Sequence, residues 1–336
     1  AYAFLTADQE ANLMHKCIRD SSGLVGDGWR SALSEAIANR TERPTHLPGL
    51  DLSNQTMDKG VLKDTAYWLL GAAPVTSTLA SNYLAKKWAT TAAAEHRHWQ
   101  QELESSLAAF GMGGKLKRYE HHISHAANAF LVSGFDRALI LTLDGYGTGL
   151  AGTVSIGEGK EIRRLKNLRF PFSFGSFYER VTSALGYKPD RHAGKIVGLA
   201  AYGDPEIVSK VLLERFSLKG DELEMEQNLN HYFDQYLASK FTMIDVAAAY
   251  QHVLEVVVQQ FVEYWAEKTG LSAVVLSGGV TANVKMNQRI HEAKGIKEVF
   301  VYPNMGDGGC GTGLAIMASL GEQDRSRIDS AYYGPD

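Results

Sequence analysis

Three short apolar runs in this chain each break off into a glycine-rich turn. Ala138–Leu143 (ALILTL) runs into Asp144-Gly145-Tyr146-Gly147-Thr148-Gly149, and Ala273–Leu276 (AVVL) into Ser277-Gly278-Gly279. Glu298–Tyr302 (EVFVY) leads to Asn304-Met305-Gly306-Asp307-Gly308-Gly309. Runs of this length and composition read as buried strands. The last two are followed by helical patterns, at Val280–Ala293 and Gly309–Ser319. After the first run, Gly152–Ile156 and Glu161–Phe170 read as two more strands, joined through Gly157-Glu158-Gly159 in a hairpin. Phe174–Leu185 reads as a helix. So does Asp245–Thr269, with Val246, Tyr250, Val253, Val257, Phe261 and Tyr264 on one stripe and Gly270 just past its end.

A three-strand meander followed by strand and helix alternation is the layout of one half of an actin- or hexokinase-type α/β fold. The first 115 or so residues have a different texture, rich in helix formers and poor in strand patterns. A long helix is expected over Thr78–Phe110, ended by Gly111, Gly113 and Gly114, with Trp88, Trp99, Leu103, Leu107 and Phe110 as its core-facing stripe. The expected division is a helix-rich half over residues 1–132 and an α/β nucleotide-binding half over residues 133–336. Ser21–Gly28 is a glycine-rich loop, readable as a phosphate contact or as a plain turn.

The chain has 336 residues, 45% hydrophobic and 21% charged, with a formal net charge of -4. That balance argues against a general nucleic-acid binder, which needs clustered Lys and Arg. No apolar run is long enough to cross a bilayer, and the opening residues lack the pattern of a signal peptide. Two distant cysteines, Cys17 and Cys310, form no disulfide framework or zinc ribbon. A cytoplasmic setting is the expectation.

Four residues point to a cation. His121 and His125, in HHISHAANAF (121–130), are four apart on an expected helix and share a face, so both can grip one ion. His122 points elsewhere and is a candidate for binding a phosphate or substrate. The competing reading is that two of the three are ordinary packing residues. Asp144 and Asp307 each stand near a strand's carboxyl end, flanked by glycines that allow close approach; ligands of open α/β sheets bind at that end. Taken singly, each Asp also reads as a turn cap. Two imidazoles with two carboxylates suit Fe(II), Mn or Zn better than Mg or Ca. His96 and His98, two apart, face different directions and read as packing or surface residues.

A nucleotide site is suggested by two glycine turns that enter helices. Gly278-Gly279, followed by Asn283 and Asn287 four apart, lets a nucleotide lie against backbone at a helix N-terminus. Gly306 and Gly308 form the second turn, and Gly145 and Gly147 give a third place for close approach. No Walker motif is present. Lys195, in GKIVGLAAYG (194–203), can hold a phosphate or carbamoyl-phosphate oxygen as a point charge; the alternative is tight packing of a glycine-rich helix.

At these residues the chain resembles the carbamoyltransferase family of nodulation, cephamycin and aminoglycoside tailoring enzymes. More distantly it resembles TsaD-type proteins of tRNA threonylcarbamoylation and a domain of the hydrogenase maturation carbamoyltransferase. The resemblance runs from about Tyr119 to Pro335, through HHISHAANAF, LTLDGYGTG (141–149), SFGSFYERVTSALGY (173–187), GKIVGLAAYG, SGGVTAN (277–283) and GDGGCGTGLA (306–315). It implies a TsaD-like fold of the actin and hexokinase (ASKHA) class. It implies Fe(II) at His121, His125, Asp144 and Asp307, and ATP or carbamoyl-adenylate near Lys195, Gly278, Gly279 and Asn283. The implied reaction moves a carbamoyl group from carbamoyl phosphate, through carbamoyl-adenylate, to a small-molecule hydroxyl, as in antibiotic biosynthesis. His122 is the candidate general base. Membrane and nucleic-acid partners are not expected. The alternatives are threonylcarbamoyl transfer to tRNA and a non-catalytic nucleotide-binding scaffold. Three features depart from the family pattern. The His-Asp-Ser-type opening is not found in residues 1–115. The family's C-terminal YrdC-like domain is not found in this sequence; a separate YrdC-like partner, a missing segment or a changed activity would each account for that. Ala193 stands where a Glu often precedes the lysine.

Overall fold

The computed structural model describes residues 4–20, 28–40, 46–47, 50–51, 60–225, 231–319, 327–328 and 330–331. The Ser21–Gly28 loop lies outside them, apart from Gly28 itself. The chain forms two compact units, each discontinuous in sequence. One holds residues 1–20, 87–175 and 262–336, and the other residues 21–86 and 176–261. The chain crosses between them four times, and the boundary expected at 132/133 falls inside the first unit.

The first unit is built on a mixed five-stranded sheet. Its strands are β1 (Arg137–Gly147), β2 (Leu150–Glu158), β3 (Glu161–Arg169), β4 (Ala273–Ser277) and β5 (Glu298–Val301). Their spatial order is β3-β2-β1-β4-β5. The first three form the antiparallel meander, while β4 and β5 add parallel to β1 and to each other. Ala138, Leu139, Ile140 and Leu141 are fully buried, as the apolar run of a central strand requires. β3 carries Arg163, Arg164, Lys166 and Arg169, charges that suit an edge.

The His121–Phe130 helix packs on this sheet through Ala126, Ala127, Ala129 and Phe130, against Ala138, Ile140 and Val275. Three alanines let the helix axis come close. The space a side chain would need at Gly157 is filled by the ring of Phe130. The Cys310–Ser319 helix packs beside the His121–Phe130 helix in the same way, since a side chain at Gly313 would meet the carbonyl of Ser124.

The long helix spans Pro74–Ala109, and its stripe differs from the expected one. Trp99 is 64% exposed and Phe110 79%, whereas Ala85, Ala89 and Ala93 are buried. The inward face runs through these alanines, His96 and Gln100, and Trp88, Leu103 and Leu107 of the expected stripe are half-buried along it, Trp88 against Tyr146 and Phe170. His96 meets the Phe4 ring edge-on, and Gln100 accepts from the Ala7 amide at 2.9 Å.

The expected Val280–Ala293 helix is broken. Gly279–Ala282 is a single 3-10 turn, Asn283 is extended, and the α-helix proper is Val284–Glu292.

The second unit is mainly helical. Its fully buried Trp29 meets Phe233 edge-on at 5.2 Å, and the guanidinium of Arg215 lies 3.6 Å from the Phe233 ring centre. Asp234 accepts from Tyr250 and pairs with Arg180 at 3.5 Å; Asp64 pairs with Lys240. Gly203 lies against the backbone of Ile244, where a side chain has no room.

Candidate metal centre

Glu120 starts the histidine helix. Its carboxylate accepts from the amides of His122 (2.9 Å) and Ile123 (3.0 Å) and is held by Arg164 of β3 at 2.6 Å. That satisfies two of the helix's free amides and suits its positive end. From this start, His121 and His125 fall on one face and His122 on another.

The sheet sets both faces. Thr142 of β1 and Ser277 of β4 are partners in the parallel register. Their hydroxyls receive two of the three histidines: His122 Nδ1 lies 2.9 Å from Thr142 Oγ1, and His125 Nδ1 lies 3.2 Å from Ser277 Oγ. The single proton of Ser277 goes to Asn128 Oδ1 (2.9 Å) or the Met305 carbonyl (3.3 Å). Towards His125 the oxygen is therefore an acceptor, and Nδ1 carries a proton. In the neutral ring this leaves Nε2 with its lone pair free for a cation.

Two residues beyond Thr142, Asp144 lies on the same face of β1. Its Oδ2 is 3.0 Å from His121 Nε2 and 3.2 Å from His125 Nε2. Its Oδ1 accepts from the amides of Gly145 (2.8 Å) and Gly279 (3.3 Å). Asp307 Oδ1 lies 3.5 Å from both Nε2 atoms. The two Nε2 atoms are themselves 3.0 Å apart. Both rings are fully buried, while the Asp307 side chain is 63% exposed and forms the open side.

Burial disfavours protonated imidazoles here, yet the carboxylates of Asp144 and Asp307 outweigh it. They raise His121 to about 9 and His125 to about 11. The same contacts hold Asp144 well below the usual carboxylate range, against the effect of burial. Two ring nitrogens facing each other beside two carboxylates call for positive charge at that focus, whether protons or a metal ion. The donor set fits a metal ion: two imidazole nitrogens and two carboxylate oxygens converge from three separate elements.

His122 is different. Burial and the neighbouring His121 charge push its pKa down to about 3. It has no accessible surface, and its Nε2 has no partner. One step along the helix from His121, it turns into the sheet, where it meets Thr142 and, through it, Thr153 at 2.7 Å. A fully enclosed ring has no path to a substrate hydroxyl, so its place is that of a packing and anchoring residue rather than a general base.

The expected cofactor residues separate into several roles. At Gly147 the space for a side chain is filled by the His121 ring, so this glycine serves the histidine. Gly145 meets the backbone of Gly175, and a side chain there would close on it. Gly278 has φ 98° and would drive a side chain into the Leu143 carbonyl; its amide donates to Met305 at 2.7 Å. Gly279 is exposed beside Asp144. Asn283 caps the Val284–Glu292 helix, accepting from Met286 at 3.0 Å. It therefore stands before the helix rather than one turn from Asn287 within it. Gly306 has open space around it, and Gly308 lies against the Asn304 side chain. Lys195 belongs to the second unit, on the Pro189–Ala200 helix, exposed and 5.5 Å from the Tyr187 ring centre.

Sequence reading passed over Cys310, Ser277, Asn128 and Thr142. Among the described residues, His121, His125, Asp307 and Cys310 each offer one ligand atom, all within 4.8 Å of one another. The hydroxyl partners carry no motif signal. Register alone identifies them.

A sheet whose central strand brings an acid to paired helical histidines places a donor set fit for a metal ion in a mixed α/β protein. The Carbamoyltransferase N-terminus family model matches residues 76–316, and the chain belongs to that family. It is 33% identical over 234 residues to nodulation protein NolNO of Sinorhizobium fredii, covering 64% of this chain and 33% of that protein. It is 31% identical over 229 residues to nodulation protein NolO of Bradyrhizobium diazoefficiens, covering 64% of this chain and 41% of that one. The chain thus spans well under half the length of these relatives. A phosphate- and nucleotide-bound HypF crystal structure aligns with TM-score 0.40 and 16% identity, over 63% of this chain and 37% of that one. That score is too low to bear on the fold. Among the described residues no helix is long and apolar enough to cross a membrane.

Proposed function

We propose that this chain carries the metal- and nucleotide-binding part of an ATP-dependent O-carbamoyltransferase with an actin-like (ASKHA) core. The observation that carries the reading is the convergence of His121, His125, Asp144 and Asp307 beside the Gly278-Gly279 turn. Family membership supports the carbamoyl chemistry, and the meander with two parallel strands added beside β1 supports the fold class.

The cation, Fe(II) in this reading, is held by the two Nε2 atoms with the carboxylates of Asp144 and Asp307. When bound, it supplies Lewis acidity to phosphate or carbamoyl oxygens. The chain's own residues do the rest. Ser277 fixes the protonation of His125 at Nδ1 and so aims Nε2. The Gly278-Gly279 turn holds Asp144 through an amide and leaves backbone exposed for a nucleotide. Asp307, on the open side, is the donor nearest to arriving substrate. Lys195 is the cation proposed to hold a phosphate oxygen, and Gly306 the open backbone at the second turn. In the reaction the acceptor hydroxyl oxygen bonds to the carbamoyl carbon of carbamoyl-adenylate. The bond from that carbon to the adenylate phosphate oxygen breaks, AMP leaves, and the hydroxyl proton is released. ATP and carbamoyl phosphate are the sources of the carbamoyl-adenylate, and a small-molecule hydroxyl is the acceptor.

The test supplies the metal-loaded protein with carbamoyl-adenylate and a panel of hydroxyl compounds, with AMP and carbamate followed by mass spectrometry. AMP release tied to carbamate formation, lost in His121→Ala, is expected. Metal-loaded protein that leaves carbamoyl-adenylate intact with every acceptor overturns the reading.

A further inference from the structure

Asp307 and Cys310 are three apart, across the 3-10 turn Asp307–Gly309. Side chains at this spacing eclipse in a 3-10 turn. The turn therefore stacks the thiol on the carboxylate's side. Cys310 is buried, 3% exposed, and its Sγ lies 3.6 Å from His125 Nε2. Its sulfur, both imidazole Nε2 atoms and an Asp307 oxygen are mutually within 4.8 Å. The backbone beside the turn is packed so closely that two positions have room only for glycine. A side chain at Gly309 would meet the Asn304 carbonyl and the Asn128 amide, and one at Gly313 would meet Ser124 and Asn128. Asn128 is the residue that also holds Ser277, the anchor of His125. One asparagine thus braces both the ring and the turn that brings the thiol to it.

We propose that Cys310 is a further protein ligand of the cation held by His121, His125, Asp144 and Asp307, so that the centre takes thiophilic divalent ions, Zn(II), Co(II) or Fe(II), through a thiolate. This rests on the metal reading above and adds a sulfur to its nitrogen and oxygen donors. Thiolate, imidazole and carboxylate together select such ions over Mg(II) or Ca(II). On binding, the Cys310 S–H bond is lost and a sulfur–metal bond forms; the thiol proton and the Nε2 protons of His121 and His125 go to solvent. Asp144 Oδ1 is held by the amides of Gly145 and Gly279, which keeps Oδ2 turned to the focus of the two rings.

The chain's two cysteines, Cys17 and Cys310, make the test direct. Metal-free protein is titrated with Co(II) alone, and the near-ultraviolet sulfur-to-cobalt charge-transfer band is recorded. The band is expected in the wild type and in Cys17→Ser, where Cys310 is the remaining thiol. It is expected to vanish in Cys310→Ser and Cys310→Ala while Co(II) still binds, at least ~10-fold more weakly. The Cys17→Ser spectrum keeps the test decisive even if both Cys310 variants fail to fold. Stoichiometric Co(II) binding to Cys17→Ser without the band overturns the thiolate ligand and leaves the histidine and aspartate centre standing. Absence of Co(II) binding to the wild type overturns both.

Discussion

The two units bury polar groups in opposite ways. In the helical unit, buried charges meet their opposites: Asp234 lies between Tyr250 and Arg180, and Asp64 pairs with Lys240. In the sheet unit, beside the Glu120–Arg164 pair, two rings and two acids are crowded onto one focus instead. Two imidazole nitrogens face each other at 3.0 Å, two carboxylates share the same focus, and His122 Nε2 has no partner at all. Pairs of opposite sign neutralise themselves and hold a fold together. Like donors aimed at one point are costly unless something charged arrives there. The contrast separates architecture from binding site without reference to any motif.

The largest expected effect breaks the sheet-unit side of this contrast. His121→Ala or His125→Ala should abolish stoichiometric metal binding, read by elemental analysis after dialysis, while the Asp64→Asn change in the helical unit leaves metal content unaltered. Trp29→Ala should test the other side. It removes the largest fully buried side chain of the helical unit and should cost about 3–5 kcal/mol in urea unfolding, with metal affinity of the folded protein unchanged. A subtler change is Ser277→Ala, which takes away the acceptor that fixes His125. It should weaken metal affinity by roughly 10–100-fold, measured by competition with a chelating dye, with a smaller loss of stability. The smallest effect is expected for Glu120→Ala. Losing this helix start should cost about 1 kcal/mol in thermal unfolding and shift metal affinity little.

Periodicity made the sheet legible. The apolar runs of β1, β4 and β5 and the hairpin between β2 and β3 stand where alternation and glycine punctuation put them. The pairing of His121 with His125 was legible because helical spacing is local. What was hidden depended on distant partners. Trp99 and Phe110 have the hydrophobicity of core residues, yet both are exposed while Ala85, Ala89 and Ala93 are buried. Asn283 ends one turn and starts another helix, a break that no propensity of Val280–Ala293 announces. Cys310 looked like a stray thiol because its meaning comes from the 3-10 turn before it and from a helix almost two hundred residues upstream in sequence. Gly147 was legible as a close-approach position, but the visitor is a histidine ring from the same unit.

The pairing of Thr142 with Ser277 has a mechanical consequence. Their hydroxyls stand on neighbouring strands locked in register, and between them they peg two rings of one short helix. Slipping either strand by a single residue would replace a hydroxyl with a leucine side chain or, at Gly278, with none, and set a ring loose. The sheet therefore acts as a jig. Little ordering entropy is left to be spent when an ion docks, so capture should be fast and tight, and the empty protein should already hold its rings in the loaded pose.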